Sequence, residues 1–210
     1  MVIFSGYWEV KGNPKPTASL GHIDQLKDKN IDLLFCDKPY PINCKQVYID
    51  PPAAKYVKKF SSPTALKFCL SCQTEIFQKL VSIWVSKILL FKLVSDLHPD
   101  KNDFIWVDCV HNINYNSIES SNTTRCCLNK YNGRNTSKMY HTPFNDKHFA
   151  HLNTYLSASV IKINRHILDV FEKKYLECLD FANKNYNFYD EEIILSLMYK
   201  TNPDLFEIIN

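Results

Sequence analysis

The stretch from Thr74 to Val107 constrains the fold more than any other part of the chain. Apolar residues at positions 76, 77, 80, 81, 84, 88, 91 and 94 recur with a helical period, while Lys79, Ser82 and Ser86 share a narrow polar side. A helix with so little polar surface is mostly buried. Asp96-Leu-His-Pro-Asp100 stops it with proline and turn formers, and Phe104-Ile-Trp-Val107 then reads as a buried strand of aromatic and β-branched residues. Buried helix, tight turn and apolar strand in succession mark an α/β layer with parallel strands. The strand ends in a carboxylate, Asp108, with His111 three residues on. Open α/β sheets bind ligands outside the carboxyl ends of their strands, which makes Asp108 a candidate site residue. The competing reading is that it opens a turn.

The rest of the chain fits the same class. Met1 to Tyr7 is an apolar, aromatic first strand, followed by a loop through Pro16 and a short helix near Ser19 to Lys27. Asn30 to Cys36 and Val47 to Ile49 are strand-like, each ended by proline-containing turns. Residues 112–147 are rich in Asn, Ser, Thr, Lys and Tyr, and predict a long surface loop holding short pieces of structure. Ser157 to Ile163 is a core strand. Asn164 then caps a helix with apolar residues at 167, 168, 171, 175, 178, 179 and 182, and Asp190 caps a final helix to about Lys200. Asn202-Pro-Asp204 stops that helix, leaving Leu205 to Ile209 as a packed tail. No repeat or composition break divides residues 1–210, so one domain is expected.

Composition excludes several function classes. With 45% hydrophobic residues the chain is not disordered, and a net charge of +3 does not suggest a nucleic-acid partner. The longest apolar stretch, Leu80 to Val94, carries Lys87 and Lys92 and falls short of the roughly 20 apolar residues of a membrane span, which leaves only peripheral membrane contact open. MVIFSGYWEV lacks the features of a signal peptide, so the expectation is a mature start here and a cytoplasmic location. Among the 8 cysteines, Cys69-Leu-Ser-Cys72 has the gap of a zinc half-site, for which Cys126 and Cys127 are candidate partners; Cys36, Cys109 and Cys178 sit in apolar segments as small buried hydrophobes. Only 4 glycines are present and none forms a GxGxxG turn or a GxxxxGK[ST] loop, so the phosphate-binding signatures of dinucleotide and P-loop proteins are missing.

The order of four segments carries a resemblance: FSGYW near the start, WVSKILLFKLV before the central strand, FIWVDCVHNI at it, and DEEIILSLMYKTNPDLF near the end. Together they resemble the HtrL/YibB, or WlaTC-like, family, whose pattern is similar to glycosyltransferases of the A type. The resemblance implies a single-domain open mixed sheet with helices on both faces, and transfer of a sugar from a nucleotide-diphosphate donor to a carbohydrate or lipid-linked acceptor in polysaccharide biosynthesis. The chain departs from the family in having Asp108-Cys109-Val110 in place of Asp-Ala-Gly, and Asp190-Glu191 in place of Asp-Gln. Neither position supplies the second carboxylate of a DxD pair, so a non-catalytic descendant that binds a sugar, nucleotide or protein is the alternative.

Sugar transfer from such a donor needs the leaving diphosphate neutralised, by a divalent cation or by basic side chains. Mn²⁺ and Mg²⁺ prefer oxygen donors; Asp108 is then the first ligand and His111 a second, against a plain turn role for the histidine. Asp190 is either a general base toward the acceptor or simply a helix cap. Glu191 replaces a polar near-isostere and can keep its hydrogen bond to substrate. Lys87, on a helix that is otherwise nearly all apolar, must reach water, a carboxylate or a phosphate. Tyr7 and Trp8 end the first strand and are candidates to stack on a nucleobase. Arg125, Lys130 and Arg134 are candidate phosphate grips or solvated charges.

Overall fold

The computed structural model describes residues 1–11, 23, 26, 30–60, 74–109, 116–130, 156–186 and 189–209. Among them run β1 (Val2–Tyr7), β2 (Leu33–Cys36), β3 (Lys45–Tyr48), α1 (Thr74–Leu97), β4 (Asp103–Val107), α2 (Asn116–Glu119), β5 (Cys126–Lys130), β6 (Leu156–Asn164), α3 (Arg165–Asn185), α4 (Glu191–Thr201) and β7 (Phe206–Ile209). The strands form one seven-stranded sheet in the order β3-β2-β1-β4-β6-β5-β7. β3, β2, β1 and β4 are parallel, β6 is antiparallel to both β4 and β5, and β7 is parallel to β5. The fold is thus α/β with a mixed sheet, and helices lie on both faces, though unequally.

The large core lies on one face, where α1, α3 and α4 pack. Phe4 of β1 meets Phe91 of α1 edge-on at 4.8 Å and Trp106 of β4 at 5.6 Å, and Leu168, Phe171, Tyr175 and Leu179 bring α3 onto the same layer. The opposite face is covered by α2 through Ile118, packed with Ile3, Ile105 and Val107, and by a cluster around Tyr7, Leu34, Cys36 and Tyr40. Every residue of β1 is buried, as expected of a parallel strand covered on both sides. Caps read from the sequence are made: Asn164 Oδ1 accepts from His166 N at 3.0 Å, and Asp190 Oδ1 accepts from Ile193 N at 2.9 Å.

Two stretches are more regular than their sequence announces. Within the stretch assigned to a surface loop, Cys126–Lys130 is an interior strand between β6 and β7, with Cys126, Cys127 and Leu128 fully buried. Three apolar residues between charged ones are too few to announce a strand by period; neighbours on both sides make it one. Likewise the packed tail is β7, hydrogen-bonded alongside β5 from Cys126↔Phe206 to Asn129↔Ile209. The helix expected near residues 19–27 falls outside the described residues apart from Ile23 and Leu26.

Gly6 is where the sheet has no room. A Cβ there would lie 2.6 Å from Trp8 Cζ3, 2.8 Å from Trp8 Cη2 and 3.0 Å from Trp106 Cη2. Both indoles are buried, so they cannot swing away cheaply. Gly6→Ala is expected to cost about 1–3 kcal/mol by overpacking, read as a lower urea midpoint with unchanged slope.

Candidate functional site

Topology marks the position where sheets of this kind carry a ligand crevice. From β1 the chain builds β2 and β3 on one side, then returns for β4 on the other, so strand order reverses between β1 and β4. Ligands of open α/β sheets sit at that reversal, outside the carboxyl ends of the strands. The β1–β4 register runs from Val2↔Phe104 to Phe4↔Trp106; beyond it the Ser5 hydroxyl donates to Val107 O at 2.7 Å and the Cys109 thiol to Gly6 O at 3.5 Å. Asp108 emerges directly above this floor, its own N–H donating to Ser159 O at 2.8 Å.

Three charged side chains from three elements converge there. Lys87 Nζ, from the middle of α1, lies 2.8 Å from Asp108 Oδ1 and 2.7 Å from Glu191 Oε1 in the first turn of α4. The same ammonium donates to Ala158 O of β6 at 3.3 Å and sits 5.6 Å from the centre of the Trp106 ring. It also reaches Asp108 Oδ2 at 3.1 Å, so its three N–H groups are shared among Asp108, Glu191 and Ala158. Trp106 Nε1 donates to Asp108 Oδ1 at 2.9 Å, fixing the carboxylate from below. Burial works against the Lys87 charge, but Asp108 and Glu191 together outweigh it and hold the ammonium above its ordinary range. Side-chain exposure falls from 21% for Asp108 to 8% for Glu191 and 6% for Lys87. Asp108 is therefore the most exposed of the three, and Glu191 and Lys87 lie beneath it.

The start of α4 adds a further acid. Glu192 Oε1 accepts from Ala158 N at 3.1 Å, so Ala158 offers its carbonyl to Lys87 and its N–H to Glu192. Burial first, then Asp190 and Glu191, push the Glu192 carboxyl up to about 8. The folded chain consequently keeps a proton that the unfolded chain releases near the ordinary 4.5. This contribution is fully present below that value and is lost as pH rises through the folded one. Glu192→Gln should remove the loss: unfolding by urea at pH 5, 7 and 9 is expected to show the variant gaining on the parent as pH rises, by at most about 1.4 kcal/mol per pH unit.

Other expected site residues lie elsewhere or are otherwise engaged. Tyr7 is 5% exposed and meets Tyr40 edge-on at 4.9 Å; Trp8 is 6% exposed and its Nε1 donates to Ile49 O at 2.8 Å. Neither ring presents an open face to a base, because alternation along the strand end buries one on each side of the sheet. Asp190 is at the site's edge, serving as the α4 cap. His111, Cys69, Cys72 and Arg134 fall outside the described residues, and so does the Lys130 side chain; Arg125 is exposed. Cys126 and Cys127 are consecutive on a strand and buried in cores on opposite faces, so they do not share an ion. Burial pushes the Cys36 and Cys109 thiols up to about 11, which removes them as nucleophiles.

A divalent ion bridging Asp108 and Glu191 would need oxygens at about 2.1–2.6 Å, in the space that the Lys87 ammonium fills. Among the described residues no three His, Cys, Asp or Glu side chains form a metal-binding group. The described donor set therefore does not fit a divalent cation while Lys87 is in place.

Sequence reasoning missed Glu192 and the role of Trp106. The second was readable, since Trp106 precedes Asp108 by two residues and so shares its side of the strand. Glu192 read as one more acid favouring a helix start, and nothing local announced its burial.

No protein-family model matches the chain, and no curated protein matches it. Among solved structures, it is similar to a glycosyltransferase involved in glycosylation of the major capsid of PBCV-1, with TM-score 0.45 and 11% identity over 100% of this chain and 82% of that one. It is also similar to the galactosyltransferase LgtC in complex with donor and acceptor sugar analogs, with TM-score 0.47 and 10% identity over 100% of this chain and 73% of that one. Likeness at this level leaves function to be read from the chain's own residues.

Proposed function

We propose that this protein is a glycosyltransferase that moves a sugar from a nucleotide-diphosphate donor to a carbohydrate or lipid-linked acceptor, in the crevice between β1 and β4. The convergence of Lys87, Asp108 and Glu191 at the reversal of strand order carries the reading. A buried ion-paired cluster is costly to assemble, and its most exposed member points where such sheets take ligands. The order of the FSGYW, FIWVDCVHNI and DEEIILSLMYKTNPDLF segments supports it, as does the mixed sheet of the A-type pattern. In this reading Asp108 accepts hydrogen bonds from the donor, and Lys87 and Glu191 hold it in position. Asp190 and Glu192 flank the acceptor side. Among the described residues no helix is long and apolar enough to cross a membrane, so a lipid-linked acceptor would be met at the membrane surface.

Thermal shift with UDP, GDP, CDP and their sugars, each with and without Mn²⁺, tests this reading. A ligand at 100 times its Kd stabilises the native state by about 2.7 kcal/mol, about 5–10 °C for a chain of this size. One donor is expected to produce such a shift, and Asp108→Asn to abolish it. No shift with any donor sinks the proposal.

One observation favours a second reading, a non-catalytic binder of the same fold. The Lys87 ammonium is committed to protein acceptors, so it is not available to neutralise a leaving diphosphate. Release or transfer of the donor's sugar, followed by product analysis, separates enzyme from binder.

A further inference from the structure

We propose that Lys87 is the resident cation of this site: its ammonium bridges Asp108 and Glu191 where a divalent ion would otherwise do so, making the cluster metal-free and occupying a latent divalent-cation site. The inference rests on the sugar-transfer reading only for the importance of the crevice, and its geometry is independent of what is transferred.

Three features carry it. First, one nitrogen stands 2.8 Å from Asp108 Oδ1 and 2.7 Å from Glu191 Oε1. Two carboxylates from different elements are drawn to a single point, the arrangement that a bridging metal imposes, with the longer distances of N–H···O contacts in place of metal–oxygen bonds. Second, the lysine is held there by more than charge. Its stem lies in the packed middle of α1, flanked by Val85, Ile88 and Phe91, all fully buried, and its third N–H is taken by Ala158 O. Withdrawal to solvent would strip the ammonium of its partners and empty the space under the crevice, so a divalent ion in solution cannot easily displace it. Third, the carboxylates are fixed from other directions. Trp106 Nε1 holds Asp108, and the α4 backbone, capped by Asp190, holds Glu191 at the first helical position. With the ammonium removed, these holds keep the two acids near one another as a pair of hard oxygen ligands, and their uncompensated charge favours uptake of Mn²⁺ or Mg²⁺.

The charge balance gives this arrangement a chemical meaning. A lysine bridging two carboxylates leaves the cluster one negative charge in excess, and its most exposed side chain is the Asp108 carboxylate, whose oxygens accept hydrogen bonds. Such a surface suits the hydroxyls of a neutral polyol and is a poor seat for phosphate. The diphosphate of a donor would therefore lie away from this cluster, with its sugar over Asp108.

The experiment is a titration of Mn²⁺ into the full chain, free of chelator and without donor, following the electron paramagnetic resonance signal of free Mn²⁺. Parent and Asp108→Asn are expected to leave the same free Mn²⁺ signal. Lys87→Ala is expected to bind Mn²⁺ at least about tenfold more tightly than the parent, on the scale by which neighbouring groups tune metal sites, and Lys87→Ala with Asp108→Asn to lose that gain. The melting temperature of Lys87→Ala should rise on adding Mn²⁺ while that of the parent does not. Uptake of Mn²⁺ by the parent that disappears in Asp108→Asn overturns the proposal, and so does a folded Lys87→Ala that stays metal-free. If Lys87→Ala does not fold even with Mn²⁺, the comparison of parent with Asp108→Asn decides alone. A parent that transfers sugar only with Asp108-bound Mn²⁺ would refute this inference and leave the transferase reading standing. Absence of donor binding beside a metal-free parent would do the reverse.

Discussion

Lys87→Met is expected to lose about 3–5 kcal/mol of stability, the usual consequence of removing one partner from a buried ion pair, which for a chain of this length lowers Tm by about 6–20 °C. Methionine fills much of the same volume, so lost packing contributes little. The loss comes from Glu191 and Asp108, left as charges with no cation between them. Glu191, 8% exposed, bears more of it than Asp108, which at 21% can recover water. A buried carboxylate without a counter-charge takes up a proton more readily when folded than when unfolded. In the variant that contribution is present at low pH and lost as pH rises, so the deficit against the parent should be widest above neutrality and narrow in mild acid. Urea unfolding at pH 5 and pH 8 measures this directly. The double variant Lys87→Met with Glu191→Gln should recover part of the loss, since groups sharing one network are not additive. A deficit below about 1 kcal/mol, the scale of exposed ion pairs, would mean that the cluster is hydrated and does not organise the crevice.

Trp106→Ala should lose a similar amount, about 3–5 kcal/mol, for a large side chain removed from a core. Its ring is 2% exposed, stands edge-on to Phe4 at 5.6 Å and lies under the Lys87 ammonium. Trp106→Phe separates the two roles of the indole. Phenylalanine keeps an aromatic face against Phe4 but has no N–H for Asp108, so about 1 kcal/mol should follow from the lost hydrogen bond, with some further loss from the smaller ring. The distinctive result is in ligand response. With Asp108 Oδ1 held by Lys87 alone and no longer by the indole, the thermal shift produced by a nucleotide-sugar donor should shrink in Trp106→Phe although the protein remains folded. An undiminished shift would make Trp106 a core residue and nothing more.

Much of the frame could be read along the chain because it depends on local periodicity and end chemistry. The 3.6-residue repeat of Thr74 to Val94 is α1, Phe104–Val107 lies within β4, and Asn164 and Asp190 make the side-chain to backbone hydrogen bonds that their positions imply. Even the isolation of Lys87 was informative, since an ammonium on an apolar helix needs a carboxylate, a phosphate or water, and it found carboxylates. Cys126–Lys130 and Phe206–Ile209 were harder. Each is too short to show a period of its own, and each is a strand because of what lies beside it.

Consecutive residues specified the class of layer, the stop of α1, the starts of α3 and α4, and the carboxylate at the end of a central strand. What that carboxylate does was left to tertiary packing. Pairing Asp108 with Lys87 and Glu191 depends on α1, β4 and α4 meeting at one point, and no local pattern encodes distances between elements that far apart in the chain. Packing also decided that the Tyr7 and Trp8 rings, which as sequence suit a nucleobase, are spent on the two sides of the sheet. Burial is a property of what surrounds a residue, and those surroundings are set by packing between elements distant along the chain.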